Sequence, residues 1–414
     1  MTSAPSLQAD VVQADVVIVG GAVMGSSAAY HLLADSGFKG RVIVIEKDPT
    51  YQLSASALSA ASIRQQYSSA VNIRISLYGI DFLRSIGDRL AVDGDRLAVD
   101  GERPEIGLKE GGYLYCASEA GASILAENHA LQTAEGADIL YLDPAALKER
   151  FPWLNTEDLA AGTWGRSGEG WFDGWGLLQA FRKKACALGA EYVKGDVAAI
   201  ERDGDTIAAV RLKDGTRIAC GALVNCAGSG GRAIAAMAGL AIPVQAKRRY
   251  VFTFSCRGPV ENCPLLIDTS GAYVRPEGEG HFICGASPEA DLDPDWSDED
   301  PASQEIDHSF FEEFIWPSLA HRVPAFEAIR PGRAWSGPYD MSLLDHNAIV
   351  GTAGGMKNFY LCNGFSGHGL QQAPAVGRGL AELIVHGGYR TLDLSELGYE
   401  RVLANRPLLE RNVI

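Results

Sequence analysis

Three small residues near the start of the chain stand at a spacing that can bind phosphate. In the stretch VVIVGGAVMGSS (16–27), Gly20 and Gly25 take the first and third positions of a G-x-G-x-x-G turn, and Ala22 takes the second. A helix that begins at such a turn offers unpaired N–H groups and its positive dipole end to a pyrophosphate. Alanine at the second position adds one methyl group, which is tolerable if its φ stays negative. We predict a dinucleotide-binding turn here.

A carboxylate supports this interpretation. Glu46 closes the next apolar strand, RVIVIEKD (41–48), twenty-one residues after Gly25. An acidic side chain in that place accepts ribose hydroxyls and disfavours a 2′-phosphate, which argues against NADP. The alternative is a plain strand–helix–strand unit with coincidental glycines, and Glu46 makes it the weaker interpretation.

Two further glycine-rich turns indicate which dinucleotide is bound. ALVNCAGSGG (222–231) joins an apolar strand to a helix, and GFSGHG (364–369) does the same near the C-terminus. FAD is long enough to need one helix N-terminus at its pyrophosphate and another near the flavin. The pattern therefore favours FAD over NAD.

The elements that position these turns are spread along the chain. Period-2 apolar patterning, as in RRYVFTFSC (248–256), predicts antiparallel strands between them. We predict an α/β (α+β) fold, in which a Rossmann-like FAD-binding domain of the glutathione-reductase type joins an antiparallel-sheet substrate domain. The predicted boundaries are 14–85, 141–245 and 340–400 for the FAD-binding domain, 86–140 and 246–339 for the substrate domain, and 1–13 for a disordered tail.

The composition excludes several classes of partner. The formal net charge is −16, with 47% apolar and 21% charged residues. An acidic protein does not select nucleic acid or an anionic membrane. The eight cysteines show no metal-ligand spacing, so no metal is expected. No apolar run is long enough to span a membrane. The N-terminus has neither an apolar region nor an arginine-rich face, and a cytoplasmic location is predicted.

Two segments are expected to carry no chemistry. DRLAVDG occurs twice in succession, at 88–94 and 95–101, and reads as a tolerated insertion. ADLDPDWSDEDPASQE (290–305) reads as a solvated surface loop, because its acidic spacing matches no calcium loop.

Several longer strings carry a resemblance to a known family. The chain resembles the D-amino-acid oxidase/sarcosine oxidase (DAO) superfamily over nearly its full length. Within it, the chain is most similar to the FAD-dependent oxidoreductase domain-containing proteins, a group that includes a mitochondrial complex I assembly factor. The matching strings are FPWLNTE (151–157), EGWFDGWGLLQ (169–179), KRRYVF (247–252), DTSGAYVR (268–275) and GFSGHGLQQAP (364–374).

The turns and the resemblance together imply a set of cofactor-binding residues. Relatives with covalent flavin use a cysteine or histidine in segments that read WSGPYDMSLLDH (335–346) and ASALSAAS (55–62) here, and neither nucleophile stands in the matching place. Non-covalent FAD is therefore expected. The predicted residues are Gly20, Gly21, Ala22, Val23, Met24, Gly25, Glu46, Lys47, Ser54, Ser59, Ala60, Ala61, Val197, Ala227, Gly228, Gly337, Gly364, Ser366, Gly367, His368, Gly369, Leu370 and Gln371.

The resemblance also implies the substrate-binding residues. Arginines matching Arg64 and Arg249 bind a substrate carboxylate in relatives, as planar guanidinium groups do well. The alternative for each is a structural ion pair. Tyr67 and Tyr273 match pocket tyrosines. His368 is a candidate base, although a histidine among turn glycines is more often placed for backbone geometry.

Departures from the family pattern point to a dehydrogenase. Tyr339 stands where many amino-acid oxidases have an arginine, so the carboxylate clamp must differ. Ile283 replaces an oxygen-activating lysine, and Leu370 and Gln371 replace a second cation. Fewer cations near flavin N5 should slow reoxidation by O2.

The predicted function is FAD-dependent oxidation of the C–N bond of a small amino acid or an N-substituted amino acid. Hydride would pass to flavin N5, and the imine product would hydrolyse. The expected partner is a small amino-acid-like molecule with a carboxylate, and the electron acceptor is O2 or an unidentified carrier. Two alternatives stay open: a D-amino-acid dehydrogenase, and a low-turnover flavoprotein that acts as an assembly or scaffold factor.

Overall fold

The computed structural model describes residues 12–92, 103–289 and 291–411. Most of the tandem DRLAVDG copy and residues 1–11 of the predicted tail lie outside these ranges. The strands are β1 Val12–Val19, β2 Val42–Glu46, β3 Ser62–Ile63, β4 Tyr113–Ala117, β5 Ile139–Leu142, β6 Ala161–Gly165, β7 Gly170–Trp171, β8 Glu191–Lys194, β9 Val197–Asp203, β10 Thr206–Leu212, β11 Arg217–Asn225, β12 Val244–Cys256, β13 Leu265–Ile267, β14 Tyr273–Pro276, β15 His281–Gly285, β16 Ile329–Ser342, β17 Ile349–Thr352 and β18 Phe359–Asn363.

The helices alternate with these strands in the first half of the chain and near its end. They are α1 Val23–Ala34, α2 Ala55–Leu58, α3 Ala70–Arg84, α4 Ile86–Arg89, α5 Ala122–Ala134, α6 Pro144–Arg150, α7 Gly174–Ala187, α8 Gly231–Met237, α9 His308–Phe310, α10 Trp316–Arg322, α11 Gly369–His386 and α12 Tyr399–Leu403.

The first sheet has β1 at its centre. β2 and then β8 follow in parallel on one side of β1, and β11 and then β18 follow in parallel on the other. β17 closes one edge antiparallel to β18, and the β9–β10 hairpin joins at β11. The central strands are continuous apolar runs because helices and further strands bury both of their faces.

The two faces of this sheet build separate cores. Ile18 and Val44 pack on one face with Leu32 of α1 and Leu380 of α11. Val17, one residue away, points to the opposite core, because successive side chains in a strand alternate between faces. The predicted α/β fold is confirmed, and its first sheet is mostly parallel and covered on both faces.

The second sheet is mostly antiparallel. Its order is β16-β12-β15-β14-β13-β4-β6-β5, with one parallel pair between β13 and β4. β12 and β16 pair along most of their length, from Val244 opposite Ser342 to Cys256 opposite Ile329. One face packs against α6, α10 and the segment between α9 and α10, with Phe254, Leu266 and Ile315 in its core.

Two predicted domain boundaries differ from the sheets. β5 and β6 belong to the second sheet, since β6 pairs antiparallel with β4 and β5 pairs with β6. The change from substrate domain to FAD-binding domain, predicted at 140/141, is therefore too early and falls after Gly165. β1 also begins at Val12, inside the predicted tail. Short apolar strands such as ILYL do not reveal which sheet they join.

Within the described ranges, no cluster of potential metal ligands is found. In the same ranges, no helix is long and apolar enough to cross a membrane.

Candidate active site

The turn between β1 and α1 has a geometry that only glycine permits at two positions. Gly20 has a φ of +96°, and a Cβ there would come within 2.3 Å of the Cys226 carbonyl oxygen. A Cβ on Gly25 would lie 1.8 Å from the Gly20 carbonyl oxygen. Ala22, by contrast, is the residue before α1 and has a φ of −69°. Its methyl group is therefore accommodated without backbone strain.

Glu46 ends β2 directly beside this turn. Its Oε2 accepts the Gly21 N–H at 2.8 Å, and its Oε1 accepts the Asp48 N–H at 2.8 Å. Burial raises the pKa of Glu46, and the two backbone donors oppose that shift. Each carboxylate oxygen keeps acceptor capacity for a further donor, as a ribose hydroxyl would require.

A cavity of about 550 Å³ extends from this turn to the second sheet. Most predicted site residues line it: Gly20, Ala22, Val23, Met24, Glu46, Lys47, Ser54, Ser59, Ala60, Ala61, Arg64, Ala227, Gly228, Arg249, Tyr273, Gly337, Tyr339, Gly367, His368, Gly369, Leu370 and Gln371. Its volume lies in the range of about 300–1,000 Å³ that is usual for small-molecule sites.

Six predicted residues fall outside the lining, and all six are buried: Gly21, Gly25, Tyr67, Val197, Gly364 and Ser366. Val197 is buried in the core under the first sheet, and its neighbour Asp196 lines the cavity instead. The residue that lines the cavity thus lies one position before the predicted one, at the start of β9. Ser366 and Gly364 shape the turn before α11, where Gly364 N–H donates to Asp340 Oδ2 at 3.0 Å.

Several residues that line the cavity belong to no motif and were not predicted from the sequence. Tyr113 closes the substrate end, and its hydroxyl lies 2.6 Å from Ser62 Oγ. Asp340 follows the predicted Tyr339 and accepts the N–H groups of Gly364 and Phe365. Burial raises the pKa of Asp340 to about 6, although both N–H groups lower it. The alternating apolar residues of GGYLYCAS (111–118), which include Tyr113, indicate a strand, and this was the one sign in the sequence that this segment could reach the site.

Arg64 is the central side chain at the substrate end. It is 1% exposed. One terminal nitrogen lies 2.8 Å from His368 Nε2, and the other, Nη1, has no hydrogen-bond partner among the described residues. The guanidinium stacks over the Tyr67 ring, 4.5 Å from its centroid. Burial and the Arg64 charge hold the pKa of His368 well below its usual value, so His368 is neutral and its Nε2 accepts from Arg64.

The backbone that carries Arg64 is held from two sides. The Arg64 N–H donates to Gln371 Oε1 at 2.8 Å. The buried Glu169 carboxylate accepts the Gln65 N–H and, at 2.8 Å, the Gln66 side-chain amide. Burial raises the pKa of Glu169 to about 7, against the lowering effect of these donors. Gln371 thus holds the backbone of Arg64 in place.

Arg249 lies on β12 and differs from Arg64. Its Nη1 and Nη2 bind the Asp293 carboxylate at 2.5 and 3.1 Å. The guanidinium covers the Tyr339 ring, 4.8 Å from its centroid. Tyr339 in turn donates its hydroxyl to the Ser366 carbonyl at 2.5 Å. Of the two alternatives open for Arg249, the structure shows an ion pair.

The structure also locates the other residues that were singled out in the sequence. Tyr273 lines the cavity, and a Cβ on Gly285 would lie 2.7 Å from its hydroxyl, so a glycine makes room for it. Ile283 is buried in β15 and is not part of the lining. The residues of ASALSAAS (55–62) that line the cavity include no cysteine and no histidine.

A dinucleotide turn, a carboxylate after the second strand, and a cavity that continues to an antiparallel sheet define an FAD-binding oxidoreductase. The chain belongs to the DAO family: the family profile described as FAD dependent oxidoreductase matches residues 15–383. This confirms the family and the FAD cofactor predicted from the sequence. The glycine cradle at Gly20 and the half-buried Glu46 fit that cofactor's pyrophosphate and ribose.

Individual relatives agree with this assignment. The chain is 42% identical to FAD-dependent oxidoreductase domain-containing protein 1 of Xenopus laevis over 97% of this chain and 85% of that protein. It is 26% identical to the mitochondrial sarcosine dehydrogenase of Mus musculus over 90% of this chain and 40% of that protein. The crystal structure of L-proline dehydrogenase from P. horikoshii superposes with a TM-score of 0.82 at 24% identity, covering 96% of this chain and 100% of that one.

Proposed function

We propose that this protein oxidises the C–N bond of a small amino acid or N-substituted amino acid that carries a carboxylate. The observation that carries the proposal is Arg64, a buried arginine that lines the cavity and whose Nη1 has no hydrogen-bond partner among the described residues. Bound FAD would supply the hydride acceptor, and the oxidised substrate would leave as an imine that hydrolyses. The sarcosine dehydrogenase relative supports this substrate class.

The charge of Arg64 explains why an anion should bind there. A buried guanidinium without an anionic partner costs several kcal/mol of desolvation, which a bound carboxylate offsets. Among the described residues, no carboxylate forms an ion pair with Arg64. His368 presents its lone pair to the guanidinium, so it would help to hold Arg64 in place for a substrate carboxylate.

Proton removal is proposed to precede substrate binding. His368 Nε2 is occupied by Arg64, and burial keeps the pKa of Tyr67 raised, so its hydroxyl stays protonated. The substrate amine would therefore bind neutral, and its lone pair would drive imine formation. Under this proposal kcat/KM rises with pH until the amine is deprotonated in solution.

The apolar lining contributes by excluding water. Leu265, Ile267 and Leu370 line the cavity near Arg64, and each is buried. Low polarity there strengthens the bond between Arg64 and a carboxylate. Neither Leu370 nor Gln371 adds a cation at this end, and Arg249 is paired with Asp293, which supports slow reaction with O2 and hence a dehydrogenase. A cytoplasmic location also stays a prediction.

An anaerobic titration tests the proposal. Holoenzyme is mixed with sarcosine, iminodiacetate, L-proline, glycine or D-alanine, and the flavin absorption band is followed. We expect one class of amine to bleach the band. Bleaching by D-alanine alone would favour a D-amino-acid dehydrogenase. If dithionite bleaches the flavin and no amine does, the enzyme proposal fails and the low-turnover flavoprotein alternative gains support.

A further inference from the structure

Three cations line the cavity in the described part of the chain: Lys47, Arg64 and Arg249. Lys47 forms an ion pair with Asp298, and Arg249 forms one with Asp293. Arg64 forms no ion pair with a carboxylate among the same residues. The substrate end therefore holds two guanidinium groups, of which one is already neutralised by the protein.

The Arg249–Asp293 pair is largely shielded from water. The two side chains are 12% and 10% exposed, and two nitrogens of the guanidinium bind the two carboxylate oxygens. Such a bidentate, desolvated pair is far stronger than a surface pair. A second substrate carboxylate would have to displace Asp293 or lie beside its negative charge.

Both arginines influence one lining residue, Tyr339. Arg249 covers the Tyr339 ring. Burial raises the pKa of the Tyr339 hydroxyl, and the charges of Arg249 and Arg64 both lower it against that effect. All three residues line the same cavity. A dicarboxylate bound at Arg64 would have Arg249 as a second cation in that cavity if Arg249 were free.

We infer that Asp293 is a specificity-determining residue that occupies Arg249 and restricts the site to amino acids with a single carboxylate. This inference rests on the proposed function. It assigns a role to a segment that looks like a solvated acidic loop in the sequence. In the variant Asp293→Asn, Arg249 would become a second anion-binding group, and dicarboxylic ligands would gain affinity.

The same segment offers a matched control. Asp295 lies two residues away, and it pairs with Lys247, a side chain that is not part of the cavity lining. The variant Asp295→Asn therefore removes one negative charge from the same loop and leaves the Arg249–Asp293 pair intact.

The test uses two thioether ligands in which sulfur replaces the amine nitrogen: (methylthio)acetate with one carboxylate and thiodiacetate with two. Their Kd values for holoenzyme are measured from the perturbation of the flavin absorption band. In the native protein we expect (methylthio)acetate to bind at least about tenfold more tightly, a difference of ~1.4 kcal/mol. In Asp293→Asn the ratio should move by about tenfold or more toward thiodiacetate, and in Asp295→Asn it should stay within about twofold of native.

Three results would overturn the inference: native protein that prefers thiodiacetate, an unchanged ratio in Asp293→Asn, or an equal change in Asp295→Asn. The first is decided without any variant, so a folding defect in Asp293→Asn does not protect the inference. If neither ligand binds the native protein, the proposed carboxylate site fails as well. If amines bleach the flavin while the ratio is unchanged in Asp293→Asn, only the inference fails.

Discussion

The two ends of the cavity are built by different means. At the turn end, the backbone of Gly20 and Gly25 and the carboxylate of Glu46 lie within one strand–helix–strand unit. At the substrate end, Arg64 meets His368 across 304 residues of sequence. The comparison shows that a site made of backbone needs a short motif, whereas a site made of side chains depends on the packing of distant segments.

The largest effect is expected at the turn end. Gly20→Val places a branched side chain at a φ of +96°, where even a Cβ would collide with the Cys226 carbonyl. Both the strain and the collision must move β1 or β11, so FAD binding should be lost. The ratio of flavin to protein absorbance of the purified variant measures this. Normal FAD content in Gly20→Val would show that the turn does not hold the cofactor.

A substitution at the substrate end should lower activity without changing FAD binding at the turn end. Arg64→Gln removes the guanidinium that is proposed to bind the carboxylate, and it leaves the glycine turn untouched. We expect kcat/KM to fall by about 100-fold, as for loss of one partner of a buried charge pair, with native FAD content. Arg64→Lys should recover part of the activity, because it keeps the charge and loses the planar fork. Loss of FAD in Arg64→Gln would break the proposed independence of the two ends.

Glu169, which binds the two residues that follow Arg64, should affect how the stability of the protein depends on pH. Burial raises the folded-state pKa of Glu169 from its ordinary value of 4.5 to about 7. The folded protein therefore binds more protons at Glu169 than the unfolded chain does between these values, and stability from this group is lost as pH rises through that window. Relative to Glu169→Gln, the native free energy of unfolding should fall by at most ~3 kcal/mol from pH 4.5 to pH 7 and then level off.

Thermal or urea unfolding at several pH values measures this difference. Because the comparison is with Glu169→Gln, other titrating groups cancel. A difference that is constant with pH would mean that Glu169 binds protons equally in the folded and unfolded states, so that its bonds to Gln65 and Gln66 offset the effect of burial on its pKa.

The smallest effect is expected from Ala22→Gly. The Ala22 φ of −69° is accessible to any residue, so glycine relieves no strain and costs only chain entropy. We expect the FAD Kd to change by less than about fivefold, corresponding to at most ~1 kcal/mol. The larger Ala22→Leu should weaken FAD binding strongly, because Ala22 lines the cavity. Equal FAD affinity in both variants would place the pyrophosphate elsewhere.

The same contrast explains what could be predicted from the sequence. The β1–α1–β2 unit follows from apolar runs and glycine spacing, so its position and its glycines were predictable. An ion pair of Arg249 was open as an alternative, but its partner could not be predicted, because Asp293 lies in an acidic stretch whose composition is that of a solvated loop. The domain boundary near 141 was missed because the sequence of a short strand such as β5 does not indicate which sheet the strand joins.

The most direct test of the central claim compares amines with and without a carboxylate. Native holoenzyme and Arg64→Gln are reduced anaerobically with L-proline and pyrrolidine, and with sarcosine and dimethylamine, and the rate of flavin bleaching is recorded. The account predicts that native protein reacts with a carboxylate-bearing member of at least one pair much faster than with its decarboxylated partner, and that Arg64→Gln abolishes this preference. Equal rates within both pairs in the native protein, or a preference that survives in Arg64→Gln, would contradict it.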